Sequence, residues 1–440
     1  MAGIGGPLPE DLRGRAHPLR SVLAAEVHAR PPLPLAAPAH VLHLGVMTTG
    51  AADGAARAHL AILCGLVGAP APDGDAKHVA IPLAAGAHLI WEKRSEFSTY
   101  TLYRPRAAGV PLRDAAAALP LPEGWLAHLP GQLIVAADVT LLGPEEKAPD
   151  RQVLESLLDG PTLVASEVAS GHATVWTDFF LGHDDTVRFL VQDRGLSDAQ
   201  RGRMVMRLLD IETYRMMALL ALPLAQKIAP QITALEQRLA KLAGHMTDET
   251  AESEQTLLRE IAGVAAEVET LAVETPYRFG AARAYHALVE RRIAELREAR
   301  IEGLPTIGEF MDRRLSPAMR TCITMSERIE GLSRRATRMA NLLRTRVDVA
   351  LERQNVELLD AMNRRSRLQL RLQETVEGLS VAAITYYVVG LVGYAAQALH
   401  ALGLPIHKEV AIGIAIPVVA GIVWYGLKRF RRALQRDGLH

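Results

Sequence analysis

Cysteine is almost missing from this chain: its 440 residues include only Cys64 and Cys322, far apart and in no C-x-x-C or His/Cys pattern. That argues against a disulfide framework or a structural zinc site and fits a reducing compartment. Net charge is missing as well. The 49 basic and 49 acidic side chains cancel, so the whole molecule has no field that would draw nucleic acid or an anionic surface to it. The familiar chemical signatures are absent from residues 39–195, which contain no G-x-G-x-x-G, Walker A, G-x-S-x-G or H-E-x-x-H motif. An enzyme reading is weakened by this, and no cofactor or resident metal is expected. The opening MAGIGGPLPEDLRGRAHPLR has no apolar run behind a basic start, so no cleavable export signal is expected and the body of the chain is placed in the cytoplasm.

What is present lies first at the other end. Leu379 to Leu402, LSVAAITYYVVGLVGYAAQALHAL, carries no Asp, Glu, Lys or Arg, and about 20 such residues cross a hydrocarbon core of ~30 Å. Val410 to Leu427 is a second charge-free run, with Trp424 and Tyr425 where an interfacial belt would sit. Arg364, Arg365, Arg367 and Arg371 precede the first run, and Lys428, Arg429, Arg431, Arg432 and Arg436 follow the second, whereas the connection between the runs holds only Lys408. The positive-inside rule then predicts a hairpin with both flanks cytoplasmic, in a bacterial inner membrane. Gly413, Pro417 and Gly421 recur every four residues on one face of the second run, a spacing that permits close helix approach. Ser380, Thr385, Tyr386 and Gln397 are polar groups in the first run that could bond between helices or line a water path. No carboxylate lies in either run, so a buried carboxylate proton relay is not expected.

Ahead of the hairpin, Ser316-Pro317 is a good helix start, and no proline follows until Pro405. One very long helix is predicted. Leu343, Val347, Leu351, Leu358, Met362, Leu372, Val376 and Leu379 form a stripe spaced by threes and fours, interrupted by Asn355 and Gln369, and such a stripe needs a partner helix. Ser197-x-x-Gln200 reads as a capping box before another helix, and residues 247–274 and 281–301 read as amphipathic helices. The paired arginines 291–292, 313–314 and 334–335 are interleaved with acids and lack aromatic stacking positions, so they read as solvated faces rather than phosphate or nucleic-acid sites.

Residues 39–195 change period. VLHLGVM, HVAIPL, HLIWEKR, FSTYTLYR, QLIVAADVTLL, TLVASEV, ATVWTDFF and TVRFLVQD are short β-rich runs, with helices expected at 52–67 and 150–158. The segment HPLRSVLAAEVHARPP at 17–32 is unusual: Glu26 and Arg30 are spaced as an i,i+4 pair and His28 lies between them. These three could dock a short helix through ion pairs, or meet Glu92, Glu96, His172 or Asp178 from the sheet in a ligand site.

The stretches HPLRSVLAAEVHARP, WEKRSEFSTYT, GHATVWTDF, RLLDIETYRMMALLALPLA, GEFMDRRLSPAMRTC and LRLQETVEGLSVAAITYYVVGLVGY resemble an uncharacterised bacterial family of membrane-anchored proteins, a domain of unknown function. That resemblance implies no catalytic residues. More loosely, the order of parts is similar to CorA-type divalent-cation transporters, but their Gly-Met-Asn signature is missing: the region reads GYAAQAL.

The expectation is therefore an α+β N-terminal domain with a mostly antiparallel sheet (1–195), a helical coiled stalk (196–377), a transmembrane hairpin (378–428) and a basic cytoplasmic tail (429–440). The expected role is an oligomeric sensor or an ion-permeation assembly, taking a small ligand or cation and no nucleic acid. A membrane-tethered enzyme using the EVHARP segment, or a scaffold for a protein partner, is the alternative.

Overall fold

The computed structural model describes residues 33–48, 52–74, 76–107, 112, 119–246, 251–401 and 407–437, together with 12, 15–21 and 23–24. The chain divides into two units. The first takes 1–247 and 259–339, the second 248–258 and 340–440.

The first unit is built on one nine-stranded sheet. Its strands are β1 (Ala39–Met47), β2 (His78–Pro82), β3 (His88–Lys93), β4 (Phe97–Pro105), β5 (Gln132–Leu142), β6 (Val164–Val168), β7 (Ala173–Thr177), β8 (Val187–Asp193) and β9 (Ala299–Arg300). The spatial order is β2-β3-β4-β1-β5-β8-β7-β6-β9. β5 pairs in parallel with β8 at the centre, Asp138 opposite Arg188 and Thr140 opposite Leu190, while the other neighbours run antiparallel. The sheet is thus mixed, which corrects the mostly antiparallel sheet expected from the sequence. The physical reason is the connection from β5 to β8. A parallel pair needs a crossover of a dozen residues or more, and here that crossover holds a short helix at Arg151–Leu157 and the β6–β7 hairpin.

Helices cover both faces. On one face α1 (Ala52–Val67) lays Ala56, Leu60, Leu63 and Cys64 on Leu44, Leu89, Trp91 and Leu102. Beside it α2 (Arg151–Leu157), capped by Asp150 accepting from the Val153 amide at 2.9 Å, covers Leu142, Trp176 and Leu190 with Leu154. The opposite face carries α3 (Asp198–Leu219), where the Tyr103 hydroxyl meets Met206 Sδ at 3.1 Å. The Ser197–Gln200 capping box forms, the Gln200 side chain accepting from the Ser197 amide at 2.9 Å. Gly202 lets α3 sit on the chain at Leu33, since a Cβ there would stand 2.0 Å from the Leu33 carbonyl oxygen.

Around this core run α4 (Ala221–His245), α5 (Ala251–Glu274), α6 (Pro276–Leu296) and α7 (Ile307–Arg314). α4 buries Ile228, Ile232, Leu235, Leu239 and Leu242, a spacing of three and four that makes one apolar face. α8 (Ser316–Ala401) is the long helix expected from the sequence, without proline after Pro317, and α9 (Lys408–Asp437) follows it.

In the second unit α8 and α9 approach closely at Gly393, where a Cβ would stand 3.0 Å from Ile412 Cδ1. Lys408 Nζ donates to Gln397 Oε1 at 3.0 Å, and Lys428 lies over the Trp424 ring at 4.6 Å. Leu358, Met362, Leu372 and Val376 along α8 stand exposed, as do Val418, Ile422 and Trp424 on α9.

Candidate functional site

Two polar assemblies occupy opposite faces of the sheet, and they differ in how completely their charges are matched. Between the sheet and α3/α6 lies a layer of paired ions. Glu92 accepts from Arg94 at 2.8 Å, Asp210 from Arg292 at 2.8 Å and Glu295 from Arg292 at 2.9 Å. Glu96 accepts from Arg278 at 2.6 Å and from the Tyr285 hydroxyl at 2.8 Å, and Glu212 takes two bonds from Arg215. Burial pushes the Asp210 carboxyl up, opposed by Arg292 and Arg94.

His43 completes this layer. The Thr213 hydroxyl donates to the Leu209 carbonyl at 2.8 Å, so His43 Nε2, 3.0 Å from that oxygen, is the donor in their bond, and Nδ1 accepts from Thr101 at 2.8 Å. Burial lowers His43 to about 3, which keeps it neutral. Each carboxylate of the layer has a guanidinium, so this assembly docks helices onto the sheet.

The opposite face holds a pair that is not balanced in that way. His40 on β1, Asp138 and Thr140 on β5, Arg104 on β4 and Arg188 on β8 stand on the same side of adjacent strands. They fill the gap between the apolar cluster under α1 and the one under α2. His40 Nδ1 is 3.3 Å from the Val139 carbonyl oxygen and 3.4 Å from Asp138 Oδ1. The carbonyl can only accept, so Nδ1 carries the proton and shares it between the two oxygens.

Burial pushes Asp138 up to about 7, with Asp184 also raising it while Arg188 and Arg104 lower it. Burial, with Arg104 and Arg106, brings His40 down to about 4. The contact is consequently a neutral imidazole beside a carboxyl poised near neutrality, and not the ion pair that distance alone suggests. The surrounding charges are held by others: Arg188 bonds Asp159 at 3.1 Å and also Asp184, while Arg106 bonds Glu146 at 2.6 Å. Two hollows of about 60 and 50 Å³ flank the pair.

Of the residues singled out from the sequence, the described ones do not converge. Glu92 and Glu96 enter the paired layer. His172 is exposed in the β6–β7 turn, its Nδ1 2.9 Å from the Ala169 carbonyl, and Asp178 accepts from the Gly160 amide at 2.7 Å and the Phe180 amide at 3.1 Å to fix a turn. Glu92 on β3 is five strand spacings from β7, about 24 Å at the usual inter-strand distance. Glu26, His28 and Arg30 lie outside the described residues.

In α8, Ser380 donates to the Val376 carbonyl at 2.8 Å, Tyr386 is exposed with its ring against Tyr387, and Gln397 takes the bond from Lys408. The Thr385 hydroxyl is buried without a hydrogen-bond partner. Among the described residues no cluster of metal-ligating side chains is found.

His40 and Asp138 were passed over in the sequence because each sits in a strand whose apolar neighbours dominate the pattern. The available signal was a carboxylate inside QLIVAADVTLL, since an acid in an otherwise apolar strand calls for a partner.

Fold and site together define a mixed-sheet unit with helices on both faces, continued by helices long and apolar enough to cross a membrane. By length and composition three stretches qualify: Asp198–His245, Ile307–Ala401 and Lys408–Gly426. The two runs read from the sequence fall in the second and third, and a third of the apolar window of the first is buried in the fold. The chain belongs to the family described as "Protein of unknown function (DUF3422)", whose model matches residues 15–434. No curated protein matches it, and nothing in the comparisons supports the likeness to CorA-type transporters.

Proposed function

We propose that this protein is a membrane-anchored sensor whose sheet unit exchanges a proton at Asp138. The observation that carries the reading is the Asp138 carboxyl itself, set beside His40 between two apolar clusters and raised to about 7. A hollow of about 60 Å³ is small against the ~300 Å³ or more of an ordinary ligand pocket, while one water takes about 30 Å³. The site therefore suits a proton or a water-sized species better than a metabolite, which also weighs against a tethered enzyme acting here.

Anchoring is assigned to spans 379–402 and 410–427 in the bacterial inner membrane, with the bulk of the chain and both termini cytoplasmic. The basic flanks and the exposed apolar side chains of α8 and α9 support it. A chain ending after Glu377 should leave the membrane fraction on carbonate extraction, and its retention there would count against this anchor.

For the sensing reading, hydrogen–deuterium exchange on the full chain in nanodiscs should show β1, β5 and β8 changing protection between pH 6 and pH 8. In Asp138→Asn that change should vanish. An identical response in both chains would sink the reading.

Assembly of several copies is part of the proposal. The exposed Leu372, Val376 and Tyr386 of α8 favour a neighbouring helix from a second copy, and ion permeation along such an interface is the second reading. Ion flux through reconstituted protein, lost in Tyr386→Phe, would favour it.

A further inference from the structure

A cleft of the first unit lies away from the His40–Asp138 pair, between β9 and α7. It has a volume of about 700 Å³ and is lined by Thr162, Leu304, Phe310 and the arginines 300, 313 and 314, with no acidic residue in its lining among the described residues. That volume falls within the ~300–1,000 Å³ usual for small-molecule sites.

The arginines come from separate places: Arg300 from the edge strand β9, Arg313 and Arg314 from the last turn of α7. In the sequence the second pair reads as a solvated face, and only the fold adds Arg300 and the concave wall. Arg300 is held by the Glu309 carboxylate, which also accepts from the Thr306 amide at 3.2 Å. Arg313 is steadied through Nε, which donates to the Glu309 carbonyl at 3.2 Å. Among the described residues its two terminal nitrogens carry no further bond and Arg314 is in no ion pair.

Phe310 gives the cleft a stiff apolar floor, stacked on Phe179 with ring centroids 5.1 Å apart, and Phe179 in turn stands edge-on to Phe189 at 5.5 Å. The first amides of α7 are already occupied: Ile307 donates to Ser166, Gly308 to Glu298 and Glu309 to Thr306. The N-terminus of the helix is therefore not the attraction, and the guanidinium groups are.

We infer that this cleft binds a phosphate-bearing ligand, its charged group held by Arg300, Arg313 and Arg314 and its organic part resting on Phe310 and Leu304. A single carboxylate needs one guanidinium fork, whereas three guanidinium groups lining one cleft, with Arg300 paired to Glu309, match a group with several anionic oxygens. A soluble phosphate compound and the headgroup of an anionic lipid share that chemistry.

The test uses the full chain in phosphatidylcholine nanodiscs, with pyrophosphate as the soluble probe in calorimetry. A parallel arm counts phosphatidylglycerol molecules retained on the detergent-solubilised protein by native mass spectrometry. The expected result is binding in at least one arm, weakened tenfold or more in Arg313→Gln/Arg314→Gln and only partly restored in Arg313→Lys/Arg314→Lys, with the melting temperature unchanged. Pyrophosphate binding alone assigns a soluble ligand, and phosphatidylglycerol retention alone assigns a lipid headgroup. Binding in neither arm, or equal binding by wild type and the glutamine pair, overturns the inference.

Discussion

Replacing Asp138 with asparagine keeps the size of the side chain and removes the carboxyl that titrates near neutrality. In the folded chain that carboxyl is pushed up to about 7 from an ordinary 3.8. Between those values the folded state still binds a proton that the unfolded chain has released, so stability falls as pH rises through the window and levels off above it. Relative to the asparagine variant, the wild type should lose about 2–3 kcal/mol between about pH 5 and pH 8, most of it below pH 7, at about 1.4 kcal/mol per unit.

His40 acts with the opposite sign. It is lowered to about 4 from 6.5, so in that range the unfolded chain holds a proton the folded one lacks, and stability rises with pH. The two slopes oppose each other between about pH 4 and pH 6.5, and Asp138→Asn should unmask the rising His40 limb. His43, lowered by burial to about 3, contributes equally to both chains and drops out of their difference. Melting temperatures followed by tryptophan fluorescence in nanodiscs, at half-unit steps of pH, measure this. A difference between the two curves that stays constant with pH would refute the reasoning.

Glu96→Gln leaves the Arg278 guanidinium, 17% exposed, without its carboxylate. It should cost about 3 kcal/mol, read as a lowered melting temperature. Gly202→Ala places a Cβ 2.0 Å from the Leu33 carbonyl oxygen, forcing α3 off its seat. The expected cost is about 2–3 kcal/mol, and unchanged stability would show that the helix does not pack there. Asn355 stands on the exposed α8 stripe between Leu351 and Leu358. Asn355→Cys, made with Cys64→Ser and Cys322→Ser, should give a disulfide-linked dimer on mild oxidation in membranes, and only monomer would count against pairing of two copies through α8.

Local patterns in the sequence were enough for the elements. QLIVAADVTLL became β5 over the same residues, the helix expected at 52–67 is α1, and Ser316-Pro317 opens a helix that runs unbroken to Ala401. These features depend on periodicity, caps and the placing of proline, which act over a few residues. The 379–402 and 410–427 runs were legible for the same reason, since their apolar length is a property of contiguous chain.

The sites were not legible, because their members are distant in sequence. His40 meets Asp138 only because β1 pairs antiparallel with β5 in a particular register, and Arg188 joins them only because β5 and β8 are parallel. A shift of one residue would turn Asp138 to the α3 face. The same holds for Arg300, brought beside Arg313 and Arg314 by the pairing of β9 with β6 and the turn into α7. The paired acids and bases at 92–96 and 278–295 were visible one by one, but whether each is satisfied depends on the docking of α6 against α3. Sequence alone determined most of the strands and helices and which segments are apolar enough for a membrane, while β9 (Ala299–Arg300) falls in the stretch 281–301 read as helix, because a two-residue edge strand exists only through its pairing with β6. Tertiary structure decided which charges meet and which are left unbalanced, because ion pairing depends on a few ångströms of separation that only long-range strand register and helix docking set.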